Sequence, residues 1–339
     1  MTFLIGAANS ASGNFQIDNS LRVNGDLHHL GLVFDSSETD ANKKKFSFSC
    51  WIKLGNADQY TTTVKQAILE STDAASSTDS IGYGHPAAAK FFYKQGAGNK
   101  AFSTTAEFRD PSAWYNLIIV VDTTDSTAND RCKIWVNGVA QTLIQSNGAL
   151  AENSLTNFGT SGSDVDATSP SSGNFIHNIN TYYNSYENDR NMNGYFADLN
   201  FNSGVVGDYS SYGKYDTNGV WIPKVPALAY NAFSYRLEFK QTGTGQDANG
   251  IGADTSGSTN HFKISQGSGL DATNIVTDSP TNNFATLNPL QSSLPTNAVY
   301  QGLLEGNLKS WTSSNDNSAD YRQWSTIAIP HTNKWFVET

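Results

Sequence analysis

The stretch Thr181 to Arg190, TYYNSYENDR, holds the residue types best suited to chemistry on a ligand. Tyr182, Tyr183 and Tyr186 offer aromatic faces, Asn184 an amide, and Glu187 and Asp189 carboxylates. Sugar recognition needs that mixture: rings stack on C–H faces while amides and carboxylates take the hydroxyls. The same tyrosines could instead pack over the edge of a sheet. Tyr209, Tyr212 and Tyr215 are a second candidate. Spaced three apart, they equally suit one side of a short helical turn packed on a core. Asp164 and Asp166, in SDVDATS, could give alternate oxygens to calcium, although the EF-hand pattern with its closing glutamate is missing. They also read as an ordinary acidic loop, and no other metal or cofactor is expected.

Catalytic patterns are wanting. A retaining glycosidase places a nucleophile and an acid on opposite sides of one bond, about 5 Å apart. A glucanase of the fold family that this chain resembles, described below, would show Glu-x-Asp-x-x-Glu on one strand. Glu187 and Asp189 begin the pattern, but Met192 stands in the third place, and Glu107 with Asp110 also has no third member. His28 and His29 are adjacent, so on a strand they point to opposite faces and chelate poorly; they are expected at a turn or on the surface. No nucleophile elbow, phosphate loop or Cys-x-x-Cys occurs. The expectation is a protein that binds, not an enzyme; the alternative is a polysaccharide depolymerase.

Composition narrows the class. The 339 residues carry 15% charged side chains, 12% aromatics and a net charge of -10. Neither nucleic acid nor an anionic membrane suits that balance as a partner. The opening MTFLIGAANSASGNF has no basic region and too short an apolar run for a signal peptide, so synthesis without secretion is expected. Cys50 and Cys132 each fall on the apolar phase of a strand, as buried free thiols or as a disulfide between them.

The elements that must position these residues are strands. Leu117 to Val121 is an unbroken apolar, β-branched run, which suits a strand covered on both faces. Arg131 to Val136 alternates, with Cys132, Ile134 and Val136 facing one way. Asn137-Gly138 follows as a tight hairpin turn. Phe46 to Leu54 (FSFSCWIKL) alternates most clearly. Gln66–Glu70, Ser80–Gly84, Lys90–Lys94, 174–180, Asn193–Phe201 and Tyr235–Gln241 are further strand candidates, and no amphipathic helix is expected.

Trp114, Tyr115, Asp122, Thr123, Trp135, Asn137 and Gly138 together resemble the middle of a concanavalin A-like lectin/glucanase domain of laminin-G-like or pentraxin-like form. Leu21–Asn24 with Leu32–Phe34 resembles its opening strand pair, and NGYFADLNFNSG its closing strand. The resemblance implies an all-β, antiparallel β-sandwich (a concanavalin A-like jelly roll) over 21–203, followed by a loop-rich β extension over 204–300. Residues 1–20 would form an N-terminal arm. Residues 301–339 would begin a second domain or add C-terminal strands, since KWFVET resembles the first strand of a SPRY-like β-sandwich.

A second resemblance is narrower. YDTNGVWIPK, SGSTNHFKIS and TDSPTNNFATLNPL, behind such a domain, are similar to structural proteins of marine tailed bacteriophages. This implies a virion protein displayed on the particle surface, as a tail fibre or spike binding host surface glycan, or as a capsid decoration or head fibre. Its partners would be other virion proteins, tail or capsid, reached through the N-terminal arm, and further copies of itself.

Overall fold

The computed structural model describes residues 15–24, 28–55, 66–72, 78–84, 89–96, 98–162, 176–180, 191–265, 268–288, 301–304, 306–312 and 324–327. The first part of the chain supplies β1 (Ser20–Asn24), β2 (Leu30–Leu32), β3 (Lys45–Leu54), β4 (Gln66–Thr72), β5 (Asp79–Tyr83), β6 (Phe91–Gln95) and β7 (Lys100–Thr104). The middle supplies β8 (Trp114–Asp122), β9 (Cys132–Val136), β10 (Val139–Ala140), β11 (Leu143–Ser146), β12 (Ile176–Ile179) and β13 (Asn193–Ser203). Beyond residue 204 the strands are short: β14 (Gly213–Tyr215), β15 (Trp221–Pro223), β16 (Tyr235–Leu237), β17 (Lys263–Ile264) and β18 (Ile275–Val276), then β19 (Gln301–Leu304) and β20 (Lys309–Thr312).

Two antiparallel sheets face each other, as an all-β sandwich requires. One runs β10-β9-β8-β3-β13-β1-β18, and the other β11-β7-β6-β5-β4-β12-β2-β17. β13 is the hub of the first sheet. It pairs with β3 on one side and, on the other, with β1 and then β16, the register shifting between Ala197 and Asn200. Asp198 sits at that bulge with φ 45. The bulge re-aims the strand, so one strand serves two neighbours on one edge.

Alternation in β3 sorts its side chains. Phe46, Phe48, Cys50 and Ile52 enter the core between the sheets, where Phe46 stacks on Phe201 at 5.5 Å. Trp51 goes to the opposite face, into a second core with Trp114, Ile118, Val120, Tyr195, Tyr212 and Trp221. β8 divides likewise, Leu117, Ile119 and Val121 into the first core and Ile118 and Val120 into the second. Its unbroken apolar run thus has the cause proposed for it: both faces are covered.

Several expectations need correction. Leu21–Asn24 and Leu32–Phe34 do not pair; β1 lies in the first sheet and β2 in the second. The strand anticipated over Tyr235–Gln241 stops at Leu237, because Phe239 takes φ 52, outside the strand region. His28 and His29 are buried rather than at the surface, and His28 Nδ1 lies 3.3 Å from the Asn274 amide. No group of three metal-ligating side chains occurs among the described residues. Both cysteines are free and buried, and burial pushes both thiols up. Among the described residues, no helix is long and apolar enough to cross a membrane.

His177 on β12 stands inside a cage of rings. Phe34, Phe158, Phe201 and Tyr235 lie 5.1 to 6.0 Å from it, mostly edge-on. The Gly159 N–H donates to Nε2 at 3.1 Å, which leaves the ring proton on Nδ1, 3.1 Å from Tyr235 Oη. Burial pushes its pKa down to about 3.

Candidate functional site

Tyr182, Tyr183, Asn184, Tyr186, Glu187 and Asp189 lie outside the described residues, as do Asp164 and Asp166. So do residues 1–14 of the N-terminal arm and the terminal KWFVET. Ile17 is buried at the end of the arm, its N–H donating to Thr281 Oγ1 and its carbonyl accepting from the same hydroxyl.

The second tyrosine candidate is described, and its members separate. Tyr209 opens a single 3-10 turn, Tyr209–Ser211, whose N-cap Asp208 accepts from the Ser210 N–H. Tyr212, just past the turn, is buried and donates to Asn202 Oδ1 at 2.8 Å. Tyr209 and Tyr215 stay exposed, at 37% and 46%. The reading of a helical turn packed on the core describes Tyr212, and the reading of a ligand surface fits Tyr209 and Tyr215.

Trp221 brings those two together. The β14–β15 hairpin sets Tyr215 directly across from Trp221. Its turn is closed by Asp216, which accepts from the N–H groups of Asn218 and Val220 at 2.8 Å. Tyr215 stands edge-on to the indole at 5.1 Å and 69°, and Tyr209 is tilted against it at 5.8 Å. Trp135 of β9 lies 6.3 Å beyond Tyr209. The indole is fixed from below, Nε1 donating to Asn116 Oδ1 at 3.0 Å while Asn116 Nδ2 donates to Ser49 Oγ.

Two glycines let the indole lie so close. A Cβ on Gly213 would sit 2.2 Å from Trp221 Cζ2, and one on Gly138 would sit 2.4 Å from Cε3. Asn137 and Gly138 take φ 50 and 75, the left-handed pair of a tight hairpin. We expect Gly138→Ala to cost about 1–2 kcal/mol by forcing a side chain into that region and displacing the indole. Urea unfolding with tryptophan emission as the probe measures both effects; an unshifted midpoint and spectrum would contradict them.

The result is a groove of about 540 Å³ with Tyr209, Tyr215, Trp221 and Val225 as its apolar wall. Lys214 and Lys224 join the lining, which contains no carboxylate in a chain of net charge -10. Lys224 Nζ donates to the Ser210 carbonyl at 2.7 Å, tying the rim to the 3-10 turn. A second groove of about 390 Å³ is lined by Lys133, Trp135, Gln141 and Gln145, among others. Trp135 therefore belongs to one groove and touches the wall of the other. Spaced rings with lysines and exposed amides can bind by stacking and hydrogen bonding.

Sequence reasoning named Tyr209 and Tyr215 but missed Trp221, Lys214 and Lys224. The signal lay in KYDTNGVW, where a turn over Asp216–Gly219 makes Tyr215 and Trp221 cross-strand neighbours.

No family model matches the chain, and no curated protein matches it. Solved structures do match it. A protein from Bacteroides ovatus, named as a candidate carbohydrate-binding protein, aligns at 13% identity and a TM-score of 0.44, covering 74% of this chain. Domains LG4-5 of the mouse laminin alpha1 chain align at 10% and 0.34, covering 73%. The chain spans 58% of each of those two proteins. The heptameric SAP-like pentraxin of Limulus polyphemus aligns at 13% and 0.33, over 55% of this chain and 77% of its own.

Proposed function

We propose that the protein is a non-catalytic glycan-binding β-sandwich that binds sugar in the groove of Tyr209, Tyr215 and Trp221. The observation that carries this reading is the pair of exposed tyrosine rings braced on one fixed indole. Rings held in place lose little entropy on binding, and each stacking face adds about 0.5–1.5 kcal/mol. Lys214 and Lys224, with no carboxylate in the lining, favour a sugar carrying a carboxylate or sulfate.

The finer reading places the protein on the surface of a phage particle, held by its N-terminal arm to other virion proteins and present in several copies. Its support is the similarity of YDTNGVWIPK, SGSTNHFKIS and TDSPTNNFATLNPL to marine phage structural proteins. Weak sugar contacts gain from multiple copies through effective concentration. Antibody labelling of purified particles, read by electron microscopy, tests this: label on the tail fits a fibre or spike, and label over the capsid fits a decoration protein. Absence from the particle refutes the placement.

Binding is tested separately on a panel of neutral and acidic oligosaccharides. The double variant Tyr209→Ala/Tyr215→Ala is expected to lose about tenfold in affinity, near 1.4 kcal/mol. Unchanged affinity would move the site elsewhere, and release of reducing sugar by the wild-type protein would refute the non-catalytic reading.

A further inference from the structure

We propose that Lys53 and Asn283 become joined by a side-chain amide bond formed within the folded chain, with Asp278 carrying the protons. Lys53, on β3, is wholly buried, and Asp278 and Asn283 are only 5% and 7% exposed. Lys53 Nζ lies 2.7 Å from Asp278 Oδ2 and 2.8 Å from Asn283 Oδ1, and it also donates to the Phe284 carbonyl at 2.6 Å.

Each reacting group is held from its other side. Asn283 Nδ2 donates to the Ser112 carbonyl at 2.7 Å, which turns the amide's carbonyl end toward the lysine. Asp278 Oδ1 accepts from Trp114 Nε1 and the Phe284 N–H, both at 3.2 Å, leaving Oδ2 to the amine. The Tyr195 ring lies 5.6 Å from Nζ, and Trp114 and Tyr195 are buried around the cluster. A buried ion pair needs only Lys53 and Asp278. The carboxamide fixed against the same nitrogen, its Oδ1 2.8 Å from Nζ, supplies the electrophile that amide formation needs.

The chemistry balances without any added reagent. Lys53 first passes a proton to Asp278 and becomes a neutral amine; burial favours that form, lowering the amine's pKa against the opposing pull of Asp278. The nitrogen lone pair attacks Asn283 Cγ and the Nζ–Cγ bond forms. Asp278 relays a second proton from Nζ to Asn283 Nδ2, and the Cγ–Nδ2 bond breaks. Nitrogen leaves as ammonium, taking the first proton, and Asp278 returns to its carboxylate. The new bond closes a span of 230 residues and pins the segment around Asn283 to β3.

The deciding measurement is the intact mass of the purified full chain under denaturing conditions, followed by peptide mapping. We expect a mass about 17 Da below that calculated from the sequence, one ammonia lost, and a branched peptide joining Lys53 to Asn283. The full calculated mass overturns the proposal. So does an ammonia loss that maps to a succinimide at an Asn-Gly step such as Asn137-Gly138. Asn283→Ala keeps the ion pair and is expected to show its full calculated mass; a persisting deficit there also overturns it.

Discussion

In the Asn283→Ala background, which keeps Lys53 a charged amine, Asp278→Ala is expected to destabilise the protein by about 3–5 kcal/mol, the cost of leaving a buried charge without its partner. Lys53 is wholly buried and 2.7 Å from the carboxylate, so water cannot replace it. The same carboxylate also accepts from Trp114 and Phe284, so its removal strands two N–H groups as well. The double variant Lys53→Met/Asp278→Leu should recover part of the loss, because no charge is then buried, but not the two N–H acceptors. Urea unfolding of that parent, of Lys53→Met, of Asp278→Leu and of the double variant, all in the same background, gives the coupling energy directly. A loss under 1 kcal/mol for Asp278→Ala would mean that the cluster opens to solvent. The structural consequence reaches beyond the cluster: the carbonyl of Asp278 also accepts from Ser20 on β1, so with Lys53 on β3 and Trp114 on β8 its loop is fastened to three strands of the first sheet.

The second large effect is a pH dependence set by His177. Its pKa lies at about 3 in the folded chain because it is buried, against about 6.5 when unfolded. Below pH 6.5 the unfolded chain therefore binds a proton that the folded chain refuses. The stability is present above 6.5 and is lost, at roughly 1.4 kcal/mol per pH unit, as the pH falls toward 3. Asp79 works in the other direction. Burial raises it to about 6, against the lowering effect of hydrogen bonds from the N–H groups of Gly96 and Asn157 and from Tyr93. Its contribution is present below about pH 4, the unfolded value, and is lost as the pH rises through 6. The two slopes oppose each other between about pH 4 and 6, so these two contributions largely cancel there. The difference between wild type and His177→Gln removes Asp79 from the comparison. That difference should move by roughly 2 kcal/mol in the variant's favour between pH 7 and pH 5. A constant difference in urea unfolding at the two pH values would show that His177 takes up its proton in the folded chain.

Much of the architecture was legible in order along the chain. The alternation of Phe46, Phe48, Cys50 and Ile52, the apolar run of β8 and the Asn137-Gly138 turn are local signals, each fixed by side-chain period or backbone φ. They determine that the chain makes antiparallel strands and which face of β3 turns inward. The sequence also marked Tyr209, Tyr212 and Tyr215 together, as a binding surface or as a turn packed on the core, and placed both cysteines on apolar strand phases. What only the tertiary structure decided depends on residues far apart in the chain. Trp221 meets Asn116, and Lys53 meets Asp278 and Asn283, across separations of 105, 225 and 230 residues. No period or spacing encodes such meetings, because they follow from how the segment after β13 folds back over the outer face of the first sheet. Partition of the opening strands between two sheets is of the same kind: Leu21 and Leu32 read alike, and their sheets are chosen by the partners Phe196 and His177.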